Sequence, residues 1–130
     1  MIRLGLRDNR TAFLPGEDLE GAILWEYPTA PESVELRLVW STRGKGSEDL
    51  SVVETVSFEN PLPGDTRAFK VRLPDGPYSL NGRLIALIWA VEVVAQPAKE
   101  FDRIEITLGP GKRRVTLPRI EDPVKNWKNR

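Results

Sequence analysis

Along most of this chain, apolar and polar side chains alternate with a period of two. Val34, Leu36, Leu38 and Trp40 alternate with Glu35, Arg37, Val39 and Ser41. Phe69, Val71 and Leu73 alternate with Lys70 and Arg72, and Ile104, Ile106 and Leu108 with Arg103, Glu105 and Thr107. Successive side chains of an extended strand point to opposite faces, so each run predicts a strand with one side in a core and the other in water. Leu50, Val52, Val56 and Phe58 are assigned to one face of a further strand. Ile2, Leu4 and Leu6 predict the first strand, and residues 19–27 the second. In residues 84–94 apolar side chains occupy both faces, which predicts a strand in the middle of a sheet with its outer face partly covered. A short last strand is expected at residues 114–117. No long segment shows a helical period.

Turn chemistry separates these runs. Reversals are expected at Leu14-Pro15-Gly16, residues 28–31, Gly44-Lys45-Gly46, residues 61–64, residues 74–77, Asn81-Gly82 and Gly109-Pro110-Gly111. Proline presets one backbone torsion and glycine permits positive φ, so such clusters mark changes of direction. About eight short strands at this spacing predict an all-β fold, a two-sheet antiparallel β-sandwich of immunoglobulin-like type.

The 130 residues are enough for one hydrophobic core. Residues 1–118 are read as the domain. Residues 119–130, charged and proline-containing, are read as a loose tail from which Trp127 can dock. Lys plus Arg and Asp plus Glu both number 19, so the net charge is zero. A nucleic-acid or acidic-membrane binder selects a basic excess, and nucleic acid is excluded as a partner on that ground. The most apolar stretch, residues 84–95, is too short for a bilayer-spanning helix and carries Glu92, so no integral membrane segment is expected. The N-terminus lacks the apolar run and cleavage site of a secretory leader. With no cysteine, no disulfide framework is available, which fits a cytoplasmic location.

Histidine is also absent, which removes the commonest general base and the commonest zinc ligand together. No Ser-His-Asp or Cys-His arrangement can be built. Gly109-Pro110-Gly111-Lys112 lacks the first glycine, the following Ser or Thr and the helix of a phosphate loop. The acidic groups Glu17, Asp18 and Glu20, and Glu48 with Asp49, lack the regular ligand spacing of a calcium loop and read as solvated turns. The chain is therefore expected to be no enzyme, with no cofactor and no metal. Trp40 and Trp89, and less clearly Trp25, lie in alternating apolar strands and read as core residues. An exposed Trp25 or Tyr78 would instead mark a sugar-stacking platform.

Three segments, in order, carry a family resemblance. Phe13-Leu14-Pro15-Gly16-Glu17-Asp18-Leu19-Glu20-Gly21 resembles the aromatic-x-Pro-Gly-Glu-x-x-x-Gly opening of α-arrestins and their bacterial sporulation-control relatives. Gly46-Ser47-Glu48-Asp49-Leu50-Ser51-Val52 is similar to the finger-loop pattern Gly-x-Glu-Asp-Leu-x-Val of visual and β-arrestins. Phe69-Lys70-Val71-Arg72-Leu73-Pro74, then Pro77-Tyr78-Ser79, Gly82, Ile88-Trp89 and Val91-Glu92-Val93, follow the family's later series. The resemblance covers roughly residues 13–95 and implies an arrestin N-terminal-like sandwich. Pro15 and Gly16 would make the turn into a strand, and Gly21 would permit close approach within it. The well-studied members have two such sandwiches and this chain has room for one. The paired receptor-phosphate-sensing lysines have no clear counterpart, Arg7 and Arg10 being poor matches, so receptor desensitisation is not implied.

The function expected on this basis is that of a non-enzymatic protein-interaction module or small scaffold. Its contact surface would be formed by two loops, residues 41–49 and 74–82, with Arg43, Lys45, Gly46, Glu48, Asp49 and Leu50 as candidate contacts. Two alternatives stand beside it: self-assembly into a homo-oligomer through an exposed edge strand, and binding of a carbohydrate or small ligand in a sandwich groove.

Overall fold

The structure, a computed structural model, describes residues 1–44, 47–82, 85–112 and 115–116. The chain order is β1 (Ile2–Leu6), β2 (Ala12–Phe13), β3 (Asp18–Glu26), β4 (Ser33–Gly44), β5 (Ser47–Ser57), β6 (Gly64–Arg72), β7 (Leu80–Asn81), β8 (Ile85–Gln96), β9 (Glu100–Leu108) and β10 (Val115–Thr116). Two sheets form the sandwich. The smaller has the order β1-β3-β6, all antiparallel. In the larger, β5 lies beside β4 and β4 beside β8. The far side of β8 is shared: β7 pairs with Leu87 and Ala86, and β9 with residues 89–95. Two short pairings, β2 with β9 and β10 with β7, are parallel, so the antiparallel pattern is not complete. The expected central strand is β8, hydrogen-bonded along both edges. The expected tail, with Trp127, lies outside the described residues.

The core is made by the inward faces predicted from the period of two. From the large sheet come Val34, Leu36, Leu38, Trp89, Val91, Val93 and Ala95; from the small sheet come Leu4, Leu19, Ile23, Trp25, Phe69 and Val71. Trp25 and Trp89 are wholly buried, and each indole N–H donates to a carbonyl at 2.7 Å: Trp25 to Leu62 O and Trp89 to Pro77 O. These two bonds pin the 58–63 crossover and the 74–79 segment to the core. A buried indole N–H without an acceptor is costly, so each tryptophan fixes a loop as well as filling volume.

One face assignment fails. The β4–β5 register shifts between Leu38, opposite Glu54, and Val39, opposite Val52, leaving Val53 as an extra residue on β5. Such a bulge moves the residues on one side of it to the opposite face. Val56, opposite Leu36, packs against the core together with Phe58. Leu50 and Val52, opposite Ser41 and Val39, emerge on the outer face instead, 67% and 49% exposed.

The sandwich is laced along its β1/β9 side. Asp102 on β9 accepts the Leu4 backbone N–H of β1 at 2.9 Å. At the end of the same seam Glu100 pairs with the Met1 ammonium at 2.9 Å and accepts the Tyr27 hydroxyl at 2.9 Å. The opposite side, bordered by β5 and β6, has no such link among the described residues.

Candidate interaction surface

The Pro15-Gly16 reversal is a type II turn. The Leu14 carbonyl accepts from Glu17 N at 3.2 Å and Gly16 sits at φ +79, the torsion that the third residue of this turn demands. Glu17 closes it: its carboxylate accepts the Leu14 N–H at 2.6 Å and pairs with Arg10, whose guanidinium lies 4.4 Å over the Phe13 ring. The Glu17 carbonyl in turn accepts from Leu73 N at 2.8 Å. Pro15, Gly16, Glu17 and Leu73, far apart in sequence, are thus joined at one end of the small sheet, with Pro74 following directly. Gly21 lies opposite Phe69 in the β3–β6 ladder; a Cβ there would stand 2.2 Å from the Gly5 carbonyl oxygen and 2.7 Å from the Phe69 ring. These motif residues form a turn and a close contact, and Gly21 also borders a shallow surface depression with Gly5, Glu20 and Phe69.

The candidate contact residues occupy a different place. Residues 41–44 and 47–49 are paired strand: β4 runs to Gly44, and β5 starts at Ser47 opposite it. The segment is the end of a β-hairpin flanked on its other side by β8, with Gly44 opposite Ile85 and Arg43 opposite Ala86. It is strand because its backbone groups are already paired on the β4 side by β8. Lys45 and Gly46 lie outside the described residues, and Glu48 is placed by its backbone alone, opposite Arg43. Arg43 and Asp49 are exposed and Leu50 is the most exposed large apolar side chain described. Beyond Trp40, half-buried against the core, β4 contributes no core side chain.

The second expected segment, residues 74–82, approaches the same end. Ser79, the one buried polar side chain described, accepts Leu108 N–H on its hydroxyl at 2.9 Å and donates its own N–H to Leu108 O at 2.7 Å. That clamp wedges β7 between β8 and the end of β9. A cavity of about 220 Å³ is bordered there by Thr11, Asn81, Ile88, Glu105 and Thr107. Tyr78 is 41% exposed; Trp25 is wholly buried and bonded to Leu62, which removes it as a stacking platform. Sequence reasoning missed this wedge because two residues of strand are too short to show a period.

The groups with shifted pKa values lie at the end away from this hairpin. The hydrogen bond from the Met1 ammonium, then that from Tyr27, hold Glu100 below the usual carboxylate range, and burial followed by the Glu100 contact pushes Tyr27 up to about 12. Arg67 holds Asp65 low. Among the described residues there is no cluster of three metal-ligating side chains, and no helix is long and apolar enough to cross a membrane.

The fold is arrestin-like. The chain is similar in structure to Spo0M, the sporulation control protein of Bacillus subtilis, with a TM-score of 0.61 at 17% identity, over 84% of this chain and 49% of that one. It therefore spans about half the length of that protein. Overlaps with a superoxide reductase (neelaredoxin) from Ignicoccus hospitalis, TM-score 0.42 at 10% identity over 84% of this chain and 80% of that one, and with the Pseudomonas fluorescens alkylpurine DNA glycosylase AlkC, TM-score 0.39 at 15% identity over 84% and 30%, are looser. No protein-family model and no curated protein sequence matches the chain.

Proposed function

We propose that this domain is a non-enzymatic protein-interaction module of arrestin-like type, acting in the cytoplasm, and that it engages a protein partner through the end of the β4–β5 hairpin together with residues 74–82. The observation that carries the reading is Leu50: a large apolar side chain, 67% exposed, on the outer face of a paired strand and beside exposed Asp49. Val52, 49% exposed on the same face, extends Leu50 into an apolar patch on a rigid element, the kind of surface that marks a protein contact. The arrestin-like fold supports an interaction or regulatory role by analogy of fold alone. The sequence contains neither histidine nor cysteine to serve as base or nucleophile.

The triple variant Arg43→Ala/Asp49→Ala/Leu50→Ala tests it. Its melting temperature should stay close to wild type, because none of the three side chains is in the core. Partner retained from lysate of the source organism should fall by about tenfold or more, the effect of losing one anchor of about 1.4 kcal/mol or greater. A variant that captures the same partner undiminished sinks the assignment of this surface.

A further inference from the structure

β5 and β6 border the same side of the sandwich, one from each sheet, and among the described residues each pairs with a single neighbour: β5 with β4, β6 with β3. Both are therefore edges with an unpaired row of backbone groups. They run in opposite directions, because β5 ends and β6 begins at one end of the molecule: Phe58 N donates to Val34 O, and Tyr27 N to Pro63 O. Their charges are opposite. β5 holds Glu48, Asp49 and Glu54 with no lysine or arginine, a net of −3; β6 holds Arg67, Lys70 and Arg72 against Asp65, a net of +2. Edges are commonly protected by lysine or proline, and β5 has neither.

We propose that a second copy of this chain docks on this side, with β5 of each protomer pairing antiparallel to β6 of the other. A two-fold axis parallel to the strands achieves this. It carries the large sheet of one protomer into line with the small sheet of its partner, so both sheets continue across the interface and the contact closes as an isologous dimer. The other two-fold arrangement sets β5 against β5 and β6 against β6, placing acid against acid and base against base. Charge therefore selects the exchanged arrangement.

Register follows from the seam. Asp102 bonds Leu4, Leu4 pairs with Ile23, and Ile23 with Arg67; Asp102 pairs with Val93, Val93 with Leu36, and Leu36 with Val56. Val56 and Arg67 thus lie at one level, and a strand-parallel axis preserves levels. The bulge at Val53 confines straight pairing to residues 54–57, opposite residues 66–69 of the partner. Glu54 and Lys70 emerge on opposite faces of the joined sheet, so their attraction acts across the edge and is not a direct ion pair. Changing two side chains on each edge, to lysine on β5 and to glutamate on β6, makes that field measurable.

Sedimentation velocity over a concentration series tests the proposal, using the wild type, Glu54→Lys/Thr55→Lys and Lys70→Glu/Arg72→Glu, with circular dichroism to confirm folding. All four side chains are exposed and none belongs to the hairpin-end surface, so failure here leaves that reading standing. The wild type should reach twice the 14.7 kDa chain mass, and less readily at high salt, where edge charges are screened. Each double variant should sediment as a monomer, and an equimolar mixture of the two should form a heterodimer. A wild type that stays monomeric overturns the proposal. So does a dimer indifferent to salt, a Lys70→Glu/Arg72→Glu protein that still dimerises, or a mixture that fails to associate. The salt series needs no variant, so a misfolded variant leaves the proposal testable.

Discussion

Gly21 shows how one residue can hold two strands together by lacking an atom. The Phe69 ring occupies the space over it and the Gly5 carbonyl stands beside it, so an added methyl meets a backbone oxygen that cannot move aside. Gly21→Ala should cost about 1–3 kcal/mol or more, as overpacking of a closed site does, and lower the melting temperature accordingly. An unchanged melting temperature would mean that β1 and β3 can separate without loss. The motif comparison marks Gly21, but not what crowds it, because Gly5 and Phe69 reach it only through strand pairing. Glu17 is similar: its place after Pro15-Gly16 predicts a turn, while its links to Arg10 and Leu73 are tertiary.

At the scale of the element, strand location was legible and strand behaviour was not. Alternation around Leu36, Val71 and Ile106 marks β4, β6 and β9, because half-buried strands must repeat every second residue. The same rule misplaces Leu50 and Val52, since one bulged residue inverts the faces and leaves no trace in composition. The crossover between β5 and β6 depends likewise on a side chain outside it. Arg67 donates to the carbonyls of Glu59 at 3.0 Å and Asn60 at 3.2 Å while pairing with Asp65 at 2.7 Å. Arg67→Ala should destabilise the domain by about 1–3 kcal/mol and speed amide hydrogen exchange in residues 58–63. Exchange faster everywhere to the same degree, with no local excess, would count against this pinning role.

For the molecule as a whole, the contacts of Tyr27, Asp65 and Glu100 at one end of the sandwich make stability depend on pH at both extremes. Asp65 and Glu100 titrate below their ordinary values, so their contribution is present above those values and fades as pH falls through the depressed ones. Tyr27 is raised from 10.0 to about 12, so its contribution is complete below pH 10 and fades between pH 10 and 12. Tyr27→Phe cannot ionise there. Between those two pH values the wild-type melting temperature should fall more steeply than that of Tyr27→Phe; parallel curves would show that the Tyr27–Glu100 contact does not couple to folding.

Fold class was determined by the sequence alone, because period-two alternation and Pro/Gly turns are local consequences of backbone geometry, and a sandwich is what several half-apolar strands can jointly bury. The absence of histidine and cysteine limited the available chemistry in the same way. Tertiary structure alone decided which strands are edges, which face Leu50 takes, that residues 41–44 and 47–49 continue as paired strand, and that β5 and β6 border one side with opposite charge. Each of these depends on what lies across a hydrogen-bonded ladder, and a ladder joins residues whose separation along the chain carries no periodic signal.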